Sequence, residues 1–133
     1  MTNNYDVIIM GGGVAGLYAA LNLEPDLRVL LLSKRELTLS NSNLAQGGIA
    51  AVFDTAHDSV QKHINDTLVA GGFRNNRKAV EILATEGPRD VQRLIELGVD
   101  FDRTHTGEPH LTLEAGHTRA RILHHKDCTA KEI

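Results

Sequence analysis

The spacing of apolar positions sorts the chain into elements. Residues 5–10, YDVIIM, form a short apolar run of the kind a buried parallel strand presents. The period then becomes helical. Leu17, Ala20, Leu21 and Leu23 recur among good helix formers until Pro25 and Asp26 end the pattern. Residues 28–33, RVLLLS, read as a second buried strand. Strand, glycine turn, helix and strand within about thirty residues make a βαβ unit.

The pattern loosens over residues 35–48, which read as loop. Over 58–70, Val60, Ile64, Leu68 and Val69 share one helical face, with Asp58 at the start and Gly71-Gly72 as the stop. Residues 77–97 predict two helical segments. The first carries Val80, Leu83 and Ala84, the second Val91, Leu94 and Ile95, and Gly87-Pro88 divides them. Gly98 is a suitable stop. Short extended pieces and turns follow, HTGEP being the clearest turn. Asp127 is placed to cap a terminal helix over CTAKEI.

A length of 133 residues suits one domain. The balance of 14 basic against 17 acidic residues, with few aromatics, argues against nucleic acid as partner. No apolar run approaches the ~20 residues that span a bilayer, so no membrane partner is expected. The amino end, MTNNYDVIIMGG, has no basic leader. The single Cys128 excludes an internal disulfide and suits a reducing compartment, hence a cytoplasmic address.

Candidate chemistry begins at Gly11-Gly12-Gly13-Val14-Ala15-Gly16, a G-x-G-x-x-G run between a predicted strand and helix. Gly11 allows the tight turn, Gly13 lets backbone approach a pyrophosphate, and Gly16 lets the helix pack close to the strand. The helix N-terminus supplies N–H donors to phosphates. The acidic residue that would bind a ribose hydroxyl is missing after the second strand, where Ser33-Lys34-Arg35-Glu36 stand instead. Residue spacing leaves FAD, NAD and NADP open.

Further along stand SNSNLAQGGIAAV, DTLVAGG and LEAGHTRARILHHKD. With the glycine turn and LLSK, these segments resemble, along essentially the whole chain, the N-terminal part of the L-aspartate oxidases. Those enzymes are a branch of the succinate dehydrogenase and fumarate reductase flavoprotein family. The resemblance implies a Rossmann-like α/β FAD-binding domain, of which residues 1–133 are the N-terminal part. The rest of that domain, a capping domain and a C-terminal helical domain would lie outside this chain. It implies FAD held by Gly11, Gly12, Gly13, Val14, Ala15, Gly16, Lys34, Asn41, Ser42, Asn43, Leu44, Ala45, Gln46, Gly47 and Gly48. No histidine precedes His57, so the covalent flavin link of the membrane-complex members is not expected. Asn43 and Leu44 replace bulkier residues of the family.

The resemblance also assigns Glu114 to the substrate, orienting L-aspartate through its amino group. A carboxylate suits an ammonium ligand by charge and hydrogen bonding. The implied reaction is oxidation of L-aspartate to iminoaspartate, with O2 or fumarate as acceptor. Its place is NAD biosynthesis, next to quinolinate synthase, and the chain alone is expected to be inactive. A fumarate reductase-like flavoprotein and a noncatalytic FAD-binding module are the alternatives. Ala115 stands where the family has glycine, so strain is expected there if the position needs positive φ. His117 reads as structural. Arg119 and Arg121 read either as anion-attracting or as solvated or ion-paired surface groups. His124 and His125 lack metal-ligand spacing.

Overall fold

The computed structural model describes residues 4–133, and the leader reading for residues 1–3 lies outside them. Strand β1 (Val7–Met10) pairs in parallel with β2 (Val29–Leu32), from Val7 opposite Val29 to Met10 opposite Leu32. Helix α1 (Val14–Leu21) connects them. It ends earlier than Pro25, because Asn22 turns out of helical geometry and its side-chain amide donates to the Tyr18 carbonyl at 2.7 Å.

The strands form where the apolar runs predict them, but their expected burial is not found. Ile8 is 59% exposed and Met10 86%, and α1 has no buried residue. A run apolar on both faces needs cover on both faces. Among the described residues, α1 is the one helix in regular contact with this pair.

The cores lie elsewhere. Helix α2 (Val60–Ala70) packs on α3 (Arg77–Glu96) through Ile64, Leu68, Val80 and Ala84. Val69 falls off that face and is exposed. Ser59, not Asp58, caps α2 by accepting from the Lys62 N–H. Gly71 and Gly72 stop it as expected, the chain turning through positive φ at Gly72 and Phe73.

The two segments predicted over 77–97 are one helix running through Pro88. Proline removes one helical hydrogen bond and costs about 3 kcal/mol in a helix interior. Here the apolar stripe stays in phase across it. Val80 and Ala84 face α2, while Val91 enters a second core with Ala51, Val99, Phe101 and Leu123. Burial on both sides of Pro88 outweighs the lost bond, and the notional break is never used.

Strand β3 (Ile49–Ala50) pairs antiparallel with β4 (Ile122–Leu123), and this short ladder carries the second core. Thr112 bridges Ile122 on its other side. The HTGEP turn forms as predicted, with the Gly107 N–H donating to the Thr104 carbonyl. Helix α4 (Thr129–Glu132) starts from Cys128 rather than Asp127. Among the described residues no helix is long and apolar enough to cross a membrane.

Candidate functional site

β1 delivers the chain into the glycine turn. Gly11 has φ +122°, a conformation glycine adopts without a Cβ clash, and its N–H returns to the Leu32 carbonyl at 2.8 Å. A Cβ on Gly16 would lie 2.0 Å from the Gly11 carbonyl oxygen, so only glycine lets α1 approach the turn this closely. A Cβ on Gly13 would lie 3.2 Å from Ser42 Oγ. Val14 and Ala15 are exposed at the start of α1. The turn opens onto a cleft of about 460 Å³ walled by Gly11, Gly13, Ser33, Lys34 and Asn41. Lys34 is the cation expected after the second strand, and it stands in the same cleft as the glycines.

Residues 40–48 fold as a chain of local hydrogen bonds. Ser42 Oγ accepts from the Val14 N–H at 3.1 Å, capping α1 from a loop distant in sequence. Asn43 braces the loop. Its side-chain amide donates to the Thr38 carbonyl and its N–H to Ser40 Oγ. Leu44, Ala45 and Gly47 are exposed. A Cβ on Gly48 would lie 2.4 Å from Leu123 O and from Ile122 Cγ2, so close packing on β4 requires this glycine.

Gln46 and Gly48 open onto another cleft, of about 320 Å³, shared with Thr112, Glu114, His124 and Lys126. Glu114 is exposed, at the start of a turn in which the His117 N–H donates to the Glu114 carbonyl. The strain expected at Ala115 is absent. The positive φ falls on Gly116, at 83°, and the non-glycine residues with positive φ among those described are Phe73 and Lys126. Opposite the turn, His124 Nδ1 lies 3.0 Å from Asp102 Oδ2. That oxygen also accepts from the Lys126 N–H, the main cause that holds the Asp102 carboxyl below its ordinary range. Among the described residues, His124 Nε2 is buried with no hydrogen-bond partner.

The turn is anchored by a cluster the sequence leaves undecided. Arg121 is fully buried, not a surface group. It donates twice to Asp58, at 2.7 and 2.9 Å, and once to Asp66 at 2.7 Å. Thr118 gives Asp66 both its N–H and its hydroxyl, and His117 Nδ1 lies 3.1 Å from the same guanidinium. Arg119 stays exposed and donates to the carbonyls of His57 and Thr118. No pattern of residue types separates Arg121 from Arg119. Only its place directly before β4, inside the core, does.

Burial would raise the Asp58 and Asp66 carboxyls. Against it, hydrogen bonds from Arg121 and Ser59 hold Asp58 below its ordinary value, and those from Thr118 and Arg121 do the same for Asp66. Burial first, then the Arg121 charge, pushes His63 below 6.5. The unfolded chain therefore protonates His63 first as pH drops. The stability that neutral His63 contributes is full above about 6.5 and is lost as pH falls toward its lower folded value. The contribution of the two aspartates is full above about 3.8 and is lost as pH falls through their folded values. Thermal melts between pH 3 and 8 are expected to show both declines, and His63→Gln is expected to remove the upper one.

Comparison with known proteins identifies this arrangement. Residues 6–132 match the model of a family described as FAD binding domain. The chain belongs to the FAD binding domain family. Its cofactor is FAD. The residues present fit it, since Gly11, Gly12 and Gly13 leave backbone facing a cleft that also holds the Ser33 hydroxyl and the Lys34 cation. Within the family, the chain is 48% identical to an L-aspartate oxidase of Yersinia pestis, covering 96% of this chain and 25% of that protein. It is 44% identical to one of Clostridium perfringens, over 96% of this chain and 28% of the relative. Among solved structures, a chain of the Mycobacterium smegmatis Sdh1 complex superposes with TM-score 0.89 at 37% identity, over 96% of this chain and 22% of that one. FrdA of E. coli quinol fumarate reductase does so with TM-score 0.90 at 28% identity and the same coverage. This FAD binding domain chain thus spans between a fifth and under a third of the length of these relatives.

Proposed function

We propose that the chain is the N-terminal part of the Rossmann-like FAD domain of a cytoplasmic L-aspartate oxidase. The rest of the FAD domain, a capping domain and a C-terminal helical domain would complete the site. The parallel β1–β2 pair joined through α1 and the glycine turn supports the Rossmann reading. The reaction is oxidation of L-aspartate to iminoaspartate with O2 or fumarate as acceptor. Its product serves quinolinate synthase in NAD biosynthesis. The 133 residues alone are inactive, because they hold only part of both sites.

Bound FAD supplies the two-electron acceptor. The chain's residues bind and orient. The N-terminus of α1 and Lys34 offer N–H groups, partial charge and full charge to a pyrophosphate. The loop from Asn41 to Gly48 runs from the glycine cleft to the Glu114 cleft and would line a cofactor held between them. With no histidine before His57, the flavin is dissociable.

The observation that carries this reading is one cleft shared by Gln46 and Gly48 of the cofactor segment and Glu114 of the substrate turn. A carboxylate there neutralises the ammonium of an amino acid and has no use for succinate. Glu114→Gln in the complete flavin-loaded protein is expected to raise the KM for L-aspartate about tenfold or more, the weight of a charged hydrogen bond. Flavin content and succinate inhibition should stay unchanged. An unaltered KM would remove Glu114 from the site. Turnover of succinate in place of aspartate would favour a fumarate reductase-like enzyme.

A further inference from the structure

Glu114 combines a free side chain with a fixed backbone. Among the described residues its carboxylate takes part in no hydrogen bond or ion pair, and it is exposed in the cleft shared with Gln46 and Gly48. Its carbonyl accepts from the His117 N–H at 3.2 Å, which closes a turn with Gly116 at φ 83°. Ordering exposed chain is entropically unfavourable, so a turn of this kind needs an outside tie to keep one position.

The tie is made at Thr118. Its N–H donates to Asp66 Oδ2 at 2.9 Å, and its hydroxyl lies 2.9 Å from the same oxygen and 3.0 Å from Oδ1. Thr118 is exposed, whereas Asp66 is 6% exposed. The hydroxyl therefore joins the surface turn to the buried cluster. Asp66 does not travel with the turn. It stands on α2 between Ile64 and Leu68, which pack on α3, and Arg121 donates to its carboxylate at 2.7 Å. A hydroxyl bonded to an ionised carboxylate makes one of the stronger hydrogen bonds. Arg119 donates to the Thr118 carbonyl, and Arg121 faces His117 Nδ1. The Thr118 hydroxyl can be removed without uncovering a buried charge, because Asp66 keeps the Thr118 N–H and Arg121.

We propose that Thr118 is a positioning residue for the reaction. Through Asp66 it holds the Glu114 turn so that the Glu114 carboxylate stands ready for the ammonium of the substrate. This rests on the substrate reading above. Thr118 acts through Glu114 and not by contact with the substrate. A carboxylate already in place loses less freedom when the ammonium arrives, so the effect falls on binding.

The test uses the complete flavin-loaded protein and a double-mutant cycle with Glu114→Gln. Thr118→Val keeps the side-chain shape and the backbone N–H but removes the hydroxyl, and Thr118→Ser restores it. Thr118→Val is expected to raise the KM for L-aspartate about three- to tenfold, the weight of one net hydrogen bond, with kcat and flavin content unchanged. Thr118→Ser should stay near the unmutated value. Succinate inhibition should be unchanged in both variants, since succinate has no ammonium. In the Glu114→Gln background Thr118→Val should add little to the KM, because the charge it positions is gone. A merely structural role would give the same KM effect in either background. That result would overturn the proposal, and so would an unchanged KM in Thr118→Val. If Thr118→Val loses flavin, Thr118→Ala takes its place in the cycle, and loss of flavin there too overturns the proposal. The substrate reading fails separately, when Glu114→Gln by itself leaves the KM unaltered, and it then takes this proposal with it.

Discussion

Arg121→Leu is expected to lower stability by about 3–5 kcal/mol, the scale of breaking a buried ion pair from one side. The substitution leaves Asp58 and Asp66 charged, desolvated and without their shared donor. Ser59 and Thr118 still donate to them, but no cation remains. The turn holding Glu114 should loosen too, because Thr118 is tied to α2 through Asp66. Denaturant unfolding measures the loss. Arg121→Lys should recover little, since an ammonium cannot reproduce the two-pronged bond to Asp58. Replacing Arg121, Asp58 and Asp66 together by apolar residues of similar volume should restore much of the stability, because no buried charge is then left alone. If Arg121→Leu melts with the wild type, the cluster has no structural weight.

Gly16→Ala carries the second large effect. Its new Cβ would sit 2.0 Å from the Gly11 carbonyl oxygen, a backbone atom that cannot rotate away. Either α1 lifts from the turn or the turn distorts. Both outcomes spoil the phosphate cradle. Forced overpacking costs about 1–3 kcal/mol, so FAD affinity should fall roughly 5- to 150-fold. Gly12→Ala meets chiefly the flexible end of Leu37 and should be milder. Gly87→Ala, on α3 and outside the cofactor segments, meets nothing within 4 Å and should bind FAD like the wild type. Flavin fluorescence titration of the three variants gives the order directly.

The βαβ unit and glycine turn were legible because local periodicity and steric demand coincide there. Gly11 and Gly16 each have a reason that acts within a few residues. Pro88 misled because a local rule was set against burial contributed by two separate cores. Arg121 was ambiguous because its partners lie 63 and 55 residues upstream. Asp58 reads as a helix start, yet Ser59 caps that helix and frees Asp58 for the ion cluster. His124 was set aside as one of a pair lacking metal-ligand spacing. Its contact with Asp102, 22 residues upstream, is made across the fold and leaves no trace in local spacing.

The Arg121 cluster also sets a schedule for synthesis. Asp58 and Asp66 leave the ribosome 63 and 55 residues before the arginine that neutralises them. At about 5–20 residues per second, that is a wait of roughly 3 to 13 s. Helices α2 and α3 can pair on each other meanwhile, through contacts local in sequence. The Glu114 turn cannot lock until Arg121 arrives, so it orders after the α2–α3 pair as the chain is made.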